Sequence, residues 1–269
     1  MIGQKQVLQY IDHLHSIPHF IILEAPKGHG KRMVAKYVAD KLHAQYVPCG
    51  VKVDEVREVI ETAMTVRDTV LYCFEDSDEM RAEAKNALLK ITEEPPENAY
   101  FIMTVSDGGT LLDTIKSRAA VWSLQPYRLE EIEEMYDIIW GADDGDKQLM
   151  CDIAWNYSSL QLLHQYGQDF IDYVNLVIDN IAEVEPANAF KSSQRLAFKK
   201  DEVDKYSLDV FFNTFIHLCY RRLDEVGEKR FDLAIDVTCK YRRKTWKVGA
   251  NLQQIYDGWV FDIRKAWIE

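Results

Sequence analysis

Short, uninterrupted apolar runs that alternate with helical patterns constrain the fold of this chain more than any other feature. Four such runs lie at positions 20–23, 70–74, 100–105 and 119–124, and each is followed by charged or turn-forming residues. Between the first two, residues 31–42 carry apolar side chains at helical spacing. Apolar strands without alternation are typical of a parallel sheet that helices cover on both faces, so we predict an α/β fold. The alternative, buried helix segments, fits less well because the runs are short and partly β-branched or aromatic.

The β pattern fades after Pro126. Residues 129–146 contain eight acidic residues and no Lys or Arg, and helical patterns then extend to Ile181. A break at residues 185–188 precedes a further helical stretch. We predict an α/β domain at 1–126, a small helical domain at 127–185 and a C-terminal helical domain at 186–269.

Charge and cysteine content exclude several classes of protein. The formal net charge of −12 argues against a chain whose whole surface coats nucleic acid. The five cysteines are scattered without a CxxC pair, so neither a disulfide framework nor a cysteine zinc site is expected. The N-terminus lacks an apolar signal core, and no stretch of about 18 apolar residues occurs, so we expect a cytoplasmic protein that does not enter the membrane.

The turn after the first apolar run has the pattern of a phosphate-binding loop. Such a loop needs glycines that turn backbone N–H groups inward, a Lys for the phosphates, and a Ser or Thr for Mg²⁺. Gly28, Gly30 and Lys31 fit this pattern, whereas Ala25 replaces the first glycine and Arg32 replaces the hydroxyl residue. The predicted nucleotide-binding residues are Pro26, Lys27, Gly28, His29, Gly30, Lys31 and Arg32.

Arg32 decides what this loop can do. A guanidinium cannot ligate Mg²⁺, although it could contact a phosphate directly as a substitute cation. We therefore expect weak or absent ATP binding and doubt that Mg²⁺ takes part. The alternative is an ordinary strand-to-helix turn without a ligand.

A second candidate feature is the acidic end of the run at 70–74. Glu75 and Asp76 follow directly. In P-loop ATPases a carboxylate here holds Mg²⁺ and the next orients the attacking water. With the order Glu then Asp, the side chain that would bind Mg²⁺ is one methylene longer and the side chain that would orient the water is one methylene shorter. This change in position disfavours catalysis. The alternative is a solvated acidic turn.

Further along, an ordered set of motifs resembles a known family. Residues 86–96, Asn-Ala-Leu-Leu-Lys-Ile-Thr-Glu-Glu-Pro-Pro, closely resemble the signature of bacterial clamp-loader proteins of the AAA+ class, the delta-prime and gamma/tau subunits of DNA polymerase III. Residues 53–60 resemble the segment before their Walker B strand, Thr104 falls where that family carries sensor 1, and Ser117-Arg118 resembles its Ser-Arg-Cys motif. The resemblance covers roughly residues 18–126 of this chain.

This resemblance implies a RecA-like AAA+ domain, a helical lid and a C-terminal helical collar. It also implies a function: opening a sliding clamp and placing it on primed DNA, together with other clamp-loader subunits. Arg118 would be an arginine finger that acts in trans on the ATP of a neighbouring subunit, with Glu75, Asp76 and Thr104 as the remaining catalytic-type positions. The alternative for Arg118 is a structural ion pair.

Departures from the family pattern indicate a damaged nucleotide site. Besides Ala25, Arg32 and the inverted pair Glu75-Asp76, residues 156–161 lack the arginine that the family's sensor-2 segment supplies, and the zinc-binding cysteine cluster is absent. The pattern favours a delta-prime-like subunit with weak or no ATPase of its own. Two alternatives stay open: a working ATPase with Arg32 as an unorthodox phosphate ligand, and a diverged AAA+ interaction protein outside replication.

A basic stretch near the C-terminus has two interpretations. Residues 220–247 contain nine Lys or Arg against five acidic residues. This stretch could contact DNA phosphates or an acidic subunit face. A solvated helix face is at least as consistent with the pattern.

Overall fold

A computed structural model describes residues 2–141, 147–181, 205–226, 229–245 and 250–268. The chain divides into two compact units, residues 1–135 and 136–269. The predicted boundary near 186 lies outside the described residues, and the boundaries at 127 and 186 stay predictions. Within the described ranges, no helix is long and apolar enough to cross a membrane.

The first unit is built on a five-stranded sheet in which every pairing is parallel. In spatial order the strands are β2, β3, β4, β1 and β5. Their bounds are Phe20–Glu24 for β1, Gln45–Cys49 for β2, Val70–Phe74 for β3, Ala99–Val105 for β4 and Ala120–Ser123 for β5. The α/β fold with a parallel sheet is confirmed.

One helix precedes β1, four connect successive strands and one follows β5. They are α1 (Lys5–His13), α2 (Lys31–Leu42), α3 (Val53–Ala63), α4 (Ala82–Glu93), the short α5 (Asp113–Lys116) and α6 (Leu129–Trp140). Short 3₁₀ turns occupy Ser77–Glu79 and Gly108–Thr110.

Alternate side chains of the central strands enter two separate cores. Ile22 and Phe101 pack on the face that α3 and α4 cover, whereas Ile21 and Ile102 pack on the face that α1 and α2 cover. Burial on both faces explains why these strands are apolar without interruption.

Strand β2 was missed by the sequence analysis, which found four strands. Among the described strands, β2 is outermost and pairs with β3, so it lies at an edge of the sheet, and its side chains are partly buried or exposed. It contains Pro48, which lacks a backbone N–H and is tolerated at a sheet edge. An edge strand of this kind leaves no continuous apolar run to detect.

The second unit is helical. Its helices are α7 (Lys147–Ile153), α8 (Tyr157–Asp179), which is interrupted at Gly167, α9 (Lys205–Val226), α10 (Lys229–Thr245) and α11 (Leu252–Ile268). Trp259 of α11 is buried against the rings of Phe211 and Phe215 from α9. The Trp259 indole N–H donates to the Thr238 hydroxyl of α10 at 2.9 Å, so its single polar group is satisfied inside the core.

Candidate functional site

The carboxyl ends of three neighbouring strands bring most of the predicted site residues to one edge of the sheet. The loop of residues 25–30 follows β1, Glu75 and Asp76 follow β3, and Thr104 is the penultimate residue of β4. Because the strands are parallel, these ends lie side by side, which is where ligands bind in open α/β sheets. We call this the C-terminal edge.

Two glycines shape the loop. Gly28 and Gly30 have φ angles of 86° and 84°, in the left-handed region that a residue without Cβ adopts at least cost. A Cβ atom at Gly30 would also lie 2.7 Å from the hydroxyl of Tyr127. The predicted glycine requirement is therefore present in the backbone, and α2 begins directly after Gly30.

Lys31 is folded back onto the loop. Its buried ammonium donates hydrogen bonds to the carbonyl oxygens of Ala25 and, at 3.1 Å, of Pro26. Burial lowers the pKa of Lys31, while the charges of Asp76 and Asp78 oppose that shift. A phosphate at this loop would have to replace the bonds to the two carbonyls.

His29 is held by residues that the sequence analysis did not identify. Its ring stacks on Tyr127, with centroids 5.9 Å apart, and burial lowers its pKa. The side-chain amide of Gln4 donates to the His29 carbonyl at 3.3 Å and to the Gln125 carbonyl at 2.7 Å. Gln4, near the N-terminus, and Tyr127, after β5, thus hold the loop in place. No motif in the sequence predicts either contact.

Arg32 pairs with Glu75. The Nε atom of Arg32 donates to Oε1 of Glu75 at 2.7 Å, and Nη2 donates to Oε2, so the contact is bidentate. The Tyr46 hydroxyl donates to the same Oε1 at 3.0 Å. Burial acts to raise the pKa of Glu75, but the hydrogen bonds from Arg32 and Tyr46 outweigh it and hold that pKa below its ordinary value.

Asp76 and Thr104 are joined through the backbone. Asp76 has a φ of 52°, and its N–H donates to the buried Thr104 hydroxyl at 3.0 Å. The Asp78 carboxylate accepts the Ser106 N–H at 2.6 Å. In this structure Thr104 therefore anchors the turn that carries the two predicted catalytic carboxylates.

The C-terminal edge does not fit a magnesium ion. A guanidinium stands at the hydroxyl position, and the carboxylate that would ligate the metal is bound to that guanidinium. Elsewhere among the described residues, no group of three or more His, Cys, Asp or Glu side chains is placed to hold a metal. The glycines and Lys31 keep the chemistry needed to contact a phosphate, without a partner metal.

Arg118 lies at the opposite edge. It precedes β5, whereas the loop follows β1, and β1 and β5 are parallel neighbours in which Ile21 pairs with Ala120. At least the length of β1, roughly 15 Å at about 3.3 Å per residue, separates Arg118 from the loop. The structure therefore does not bring Arg118 together with the other predicted site residues. We call its surroundings the N-terminal edge.

At this edge Arg118 pairs with Glu93, the last residue of α4. Its Nε atom donates to Oε1 of Glu93 at 2.8 Å, and Nη2 donates to the same oxygen. Its Nη1 atom donates to the Thr114 carbonyl at 2.6 Å. Arg118 is thus in an ion pair with Glu93.

The segment at 156–161 serves as a helix start. The Asn156 side-chain oxygen accepts the Ser159 N–H at 2.9 Å, which caps α8, and the Tyr206 hydroxyl donates to the same oxygen at 2.5 Å. These polar side chains bond to each other and to the helix backbone.

Several cations of the basic stretch take part in internal packing. Arg242 donates to Asp209 and Asn213, both at 2.6 Å, and lies over the Trp155 ring. Arg222 donates to Asn175 at 2.9 Å and pairs with Asp179. These contacts favour a structural role for part of the stretch; Trp246 and Lys247 lie outside the described residues.

Sequence comparisons relate this chain to DNA polymerase III subunits. The family described as "DNA polymerase III, delta subunit" matches residues 50–128. Subunit tau of Escherichia coli is 26% identical over 198 residues, which are 61% of this chain and 29% of that protein. Subunit delta' of Haemophilus influenzae is 38% identical over 76 residues, which are 27% of this chain and 23% of that protein. Subunit gamma of Buchnera aphidicola from Acyrthosiphon pisum is 26% identical over 192 residues, 58% of this chain and 53% of that protein. The chain thus spans about half or less of these relatives.

Solved structures support the fold. A gamma-subunit-related protein of DNA polymerase III from Thermotoga maritima is 15% identical, with a TM-score of 0.50 over 98% of this chain and 99% of that chain. The RuvB Holliday junction branch migration motor from the same organism is 13% identical, with a TM-score of 0.50 over 85% of this chain and 83% of that chain. These likenesses support the predicted fold, an α/β part with a parallel sheet followed by helical structure.

Proposed function

We propose that this chain, which belongs to the clamp-loader family of DNA polymerase III subunits, is a delta-prime-type subunit that completes a neighbour's ATP site without hydrolysing ATP itself. In this role it would assemble with ATP-hydrolysing clamp-loader subunits in the cytoplasm. The assembly would open a sliding clamp on primed DNA. Contact with DNA would come mainly through the assembled ring.

The observation that carries this proposal is the bidentate pair of Arg32 and Glu75. These two side chains hold the positions at which a P-loop ATPase binds Mg²⁺. Here they bind each other, at 2.7 Å between Nε and Oε1. A bound Mg²⁺ would supply the main electrostatic contribution to phosphoryl transfer, and the two residues at the positions that would hold it bind each other instead.

The same pair weakens the alternative of a working ATPase. In that alternative, Arg32 would be an unorthodox phosphate ligand. Its guanidinium instead faces Glu75, and breaking the bidentate contact would leave a partly buried carboxylate without its cation.

The position of Arg118 supports action in trans. An arginine at the N-terminal edge of the sheet cannot reach the loop at the C-terminal edge of the same sheet. If it acts on a nucleotide at all, that nucleotide belongs to another chain. An arginine finger supplied in this way contributes about 10³–10⁵-fold to the rate of phosphoryl transfer.

The test is Arg118→Ala in the assembled complex. We would reconstitute the chain with the ATP-hydrolysing gamma- or tau-type subunits of the same organism and measure single-turnover ATP hydrolysis. We expect the phase from the neighbouring site to slow by on the order of 10³-fold, while size-exclusion chromatography shows unchanged assembly.

Arg57→Ala is the matched control, because Arg57 is an exposed arginine on α3. It should leave every phase unchanged. If Arg118→Ala hydrolyses ATP as fast as Arg57→Ala in intact complexes, Arg118 is not a finger and the proposed function fails.

A further inference from the structure

The N-terminal edge holds Arg118 in one defined orientation. A guanidinium has five N–H groups. Three of these N–H groups make hydrogen bonds. Those on Nε and Nη2 donate to Glu93 Oε1, and one on Nη1 donates to the Thr114 carbonyl. Within the described part of the chain, the remaining N–H on each terminal nitrogen makes no hydrogen bond, so two donors stay available to a phosphate.

The Thr114 carbonyl is itself fixed. It accepts the Ser117 hydroxyl at 3.1 Å in addition to Arg118 Nη1 at 2.6 Å. The Arg118 N–H bonds to the Ile115 carbonyl at 3.1 Å, which ties the residue to the end of α5. Ser117 of the Ser-Arg motif therefore supports the same carbonyl that orients the arginine.

Glu93 is fixed by the way α4 ends. Residue Glu94 leaves the helix with φ −127° and ψ 72°, outside the α region that a following proline disfavours. Pro95 and Pro96 then prevent the helix from continuing. The Glu-Glu-Pro-Pro segment thus places the carboxylate of Glu93 in the last turn of α4, beside Arg118.

We infer that Glu93 is the positioning residue for Arg118, and this inference rests on the proposed function. An unrestrained arginine loses rotamer freedom when it reaches a phosphate, whereas one already oriented by a carboxylate and a carbonyl loses less. Glu93 acts through Arg118 and does not itself reach the nucleotide. The two motifs, Glu-Glu-Pro-Pro and Ser-Arg, then form one functional unit built from α4 and α5.

The neighbouring carboxylate offers a matched control. Glu94 is also exposed and also acidic, and its backbone N–H donates to the Lys90 carbonyl at 3.4 Å. Glu93→Ala and Glu94→Ala remove the same charge and the same atoms one residue apart. Only the first removes a contact with the Arg118 guanidinium.

The experiment measures ATP hydrolysis by the reconstituted complex with each variant. We expect Glu93→Ala to slow the phase from the neighbouring site by on the order of 10–100-fold with an unchanged KM for ATP, and Glu94→Ala to change neither. Glu93→Gln, which keeps an oxygen acceptor but loses the charge, should fall between wild type and Glu93→Ala. Thermal unfolding and size-exclusion chromatography establish that the variants fold and assemble.

The decisive comparison is the double variant Arg118→Ala/Glu93→Ala. Because Glu93 acts through Arg118, the double variant should be as slow as Arg118→Ala alone and no slower. Equal rates for Glu93→Ala and Glu94→Ala, or a faster rate for Glu93→Ala, would overturn the inference while a slow Arg118→Ala leaves the proposed function in place. A normal rate for Arg118→Ala would overturn both.

Discussion

Two arginine–glutamate pairs lie at opposite edges of the same sheet, and each has one additional partner. At the C-terminal edge, the Glu75 side chain is the enclosed member, 21% exposed against 65% for Arg32, and the Tyr46 hydroxyl donates to it. At the N-terminal edge, the Arg118 side chain is the more enclosed, 31% exposed against 50% for Glu93, and the Thr114 carbonyl accepts from it.

The additional partner decides what each pair can do. At the C-terminal edge the additional partner is a hydrogen-bond donor, and it occupies a further acceptor site of the Glu75 carboxylate. Glu75 is therefore a poor ligand for any other cation. At the N-terminal edge the additional partner is a hydrogen-bond acceptor, and it helps to orient the Arg118 guanidinium. Two of the five N–H donors of that guanidinium remain available to another group. An arginine–glutamate pair therefore occupies the candidate metal position at the C-terminal edge. At the N-terminal edge, a pair of the same type orients an arginine toward solvent or a partner.

The largest effect on stability should come from the loop of the C-terminal edge. Gly30→Ala forces a side chain into a φ of 84° and places its Cβ 2.7 Å from the Tyr127 hydroxyl. We expect a loss of about 2–3 kcal/mol in the free energy of unfolding, measured by chemical denaturation. At the other edge, Arg118→Ala breaks an exposed pair and should cost under about 1 kcal/mol.

Tyr127→Phe provides the control for Gly30→Ala, since it removes the one atom that the new Cβ would meet. In the Tyr127→Phe background, Gly30→Ala should cost only the backbone strain, about 1–2 kcal/mol. A Gly30→Ala variant as stable as wild type, or one that costs equally in both backgrounds, would show that Tyr127 does not press on the loop.

A stability effect smaller than that of Gly30→Ala should come from the ionisation of Glu75, and it should depend on pH. Its pKa is lower in the folded chain than its ordinary value, so folding favours the ionised carboxylate. The stabilisation is fully present above the ordinary pKa of a glutamate, about 4.3, and is lost as the pH falls through the lowered value in the folded state. We expect Glu75→Gln to cost about 1 kcal/mol at neutral pH, with the difference from wild type shrinking below about pH 4.

Glu61→Gln serves as the comparison for Glu75→Gln, because Glu61 is an exposed glutamate on α3. Urea unfolding of both variants between acidic and neutral pH checks the prediction. A Glu75→Gln variant that parallels wild type at every pH would mean that Arg32 and Glu75 do not pair in solution.

Burial explains how far the sequence predicts the fold. Strands such as β3 and β4 are covered on both faces, and that environment demands a continuous apolar run, which is visible in the sequence. Strand β2 lies at the edge of the sheet and is less buried, so its sequence need not be continuously apolar. For that reason the sequence did not predict it. The loop glycines were predictable because the positive φ angles at Gly28 and Gly30 require glycine.

The contacts across the site could not be predicted in the same way. Arg32 and Glu75 each depart from the family pattern, and the sequence shows both departures. It does not show that the two side chains, 43 positions apart, bind each other. The contacts of Gln4 and Tyr127 with the loop likewise follow from tertiary packing, and no local pattern encodes them.

The central claim is that the pair of Arg32 and Glu75 takes the place of a magnesium site. The direct measurement is titration of labelled ATP into the isolated chain with and without Mg²⁺, with product formation followed in parallel. We predict no Mg²⁺-dependent gain in affinity and no turnover for the wild type, and a Mg²⁺-dependent gain for Arg32→Thr/Glu75→Asp, which restores the hydroxyl and the short carboxylate. Micromolar binding of ATP with Mg²⁺ and measurable turnover by the wild-type chain would contradict the account.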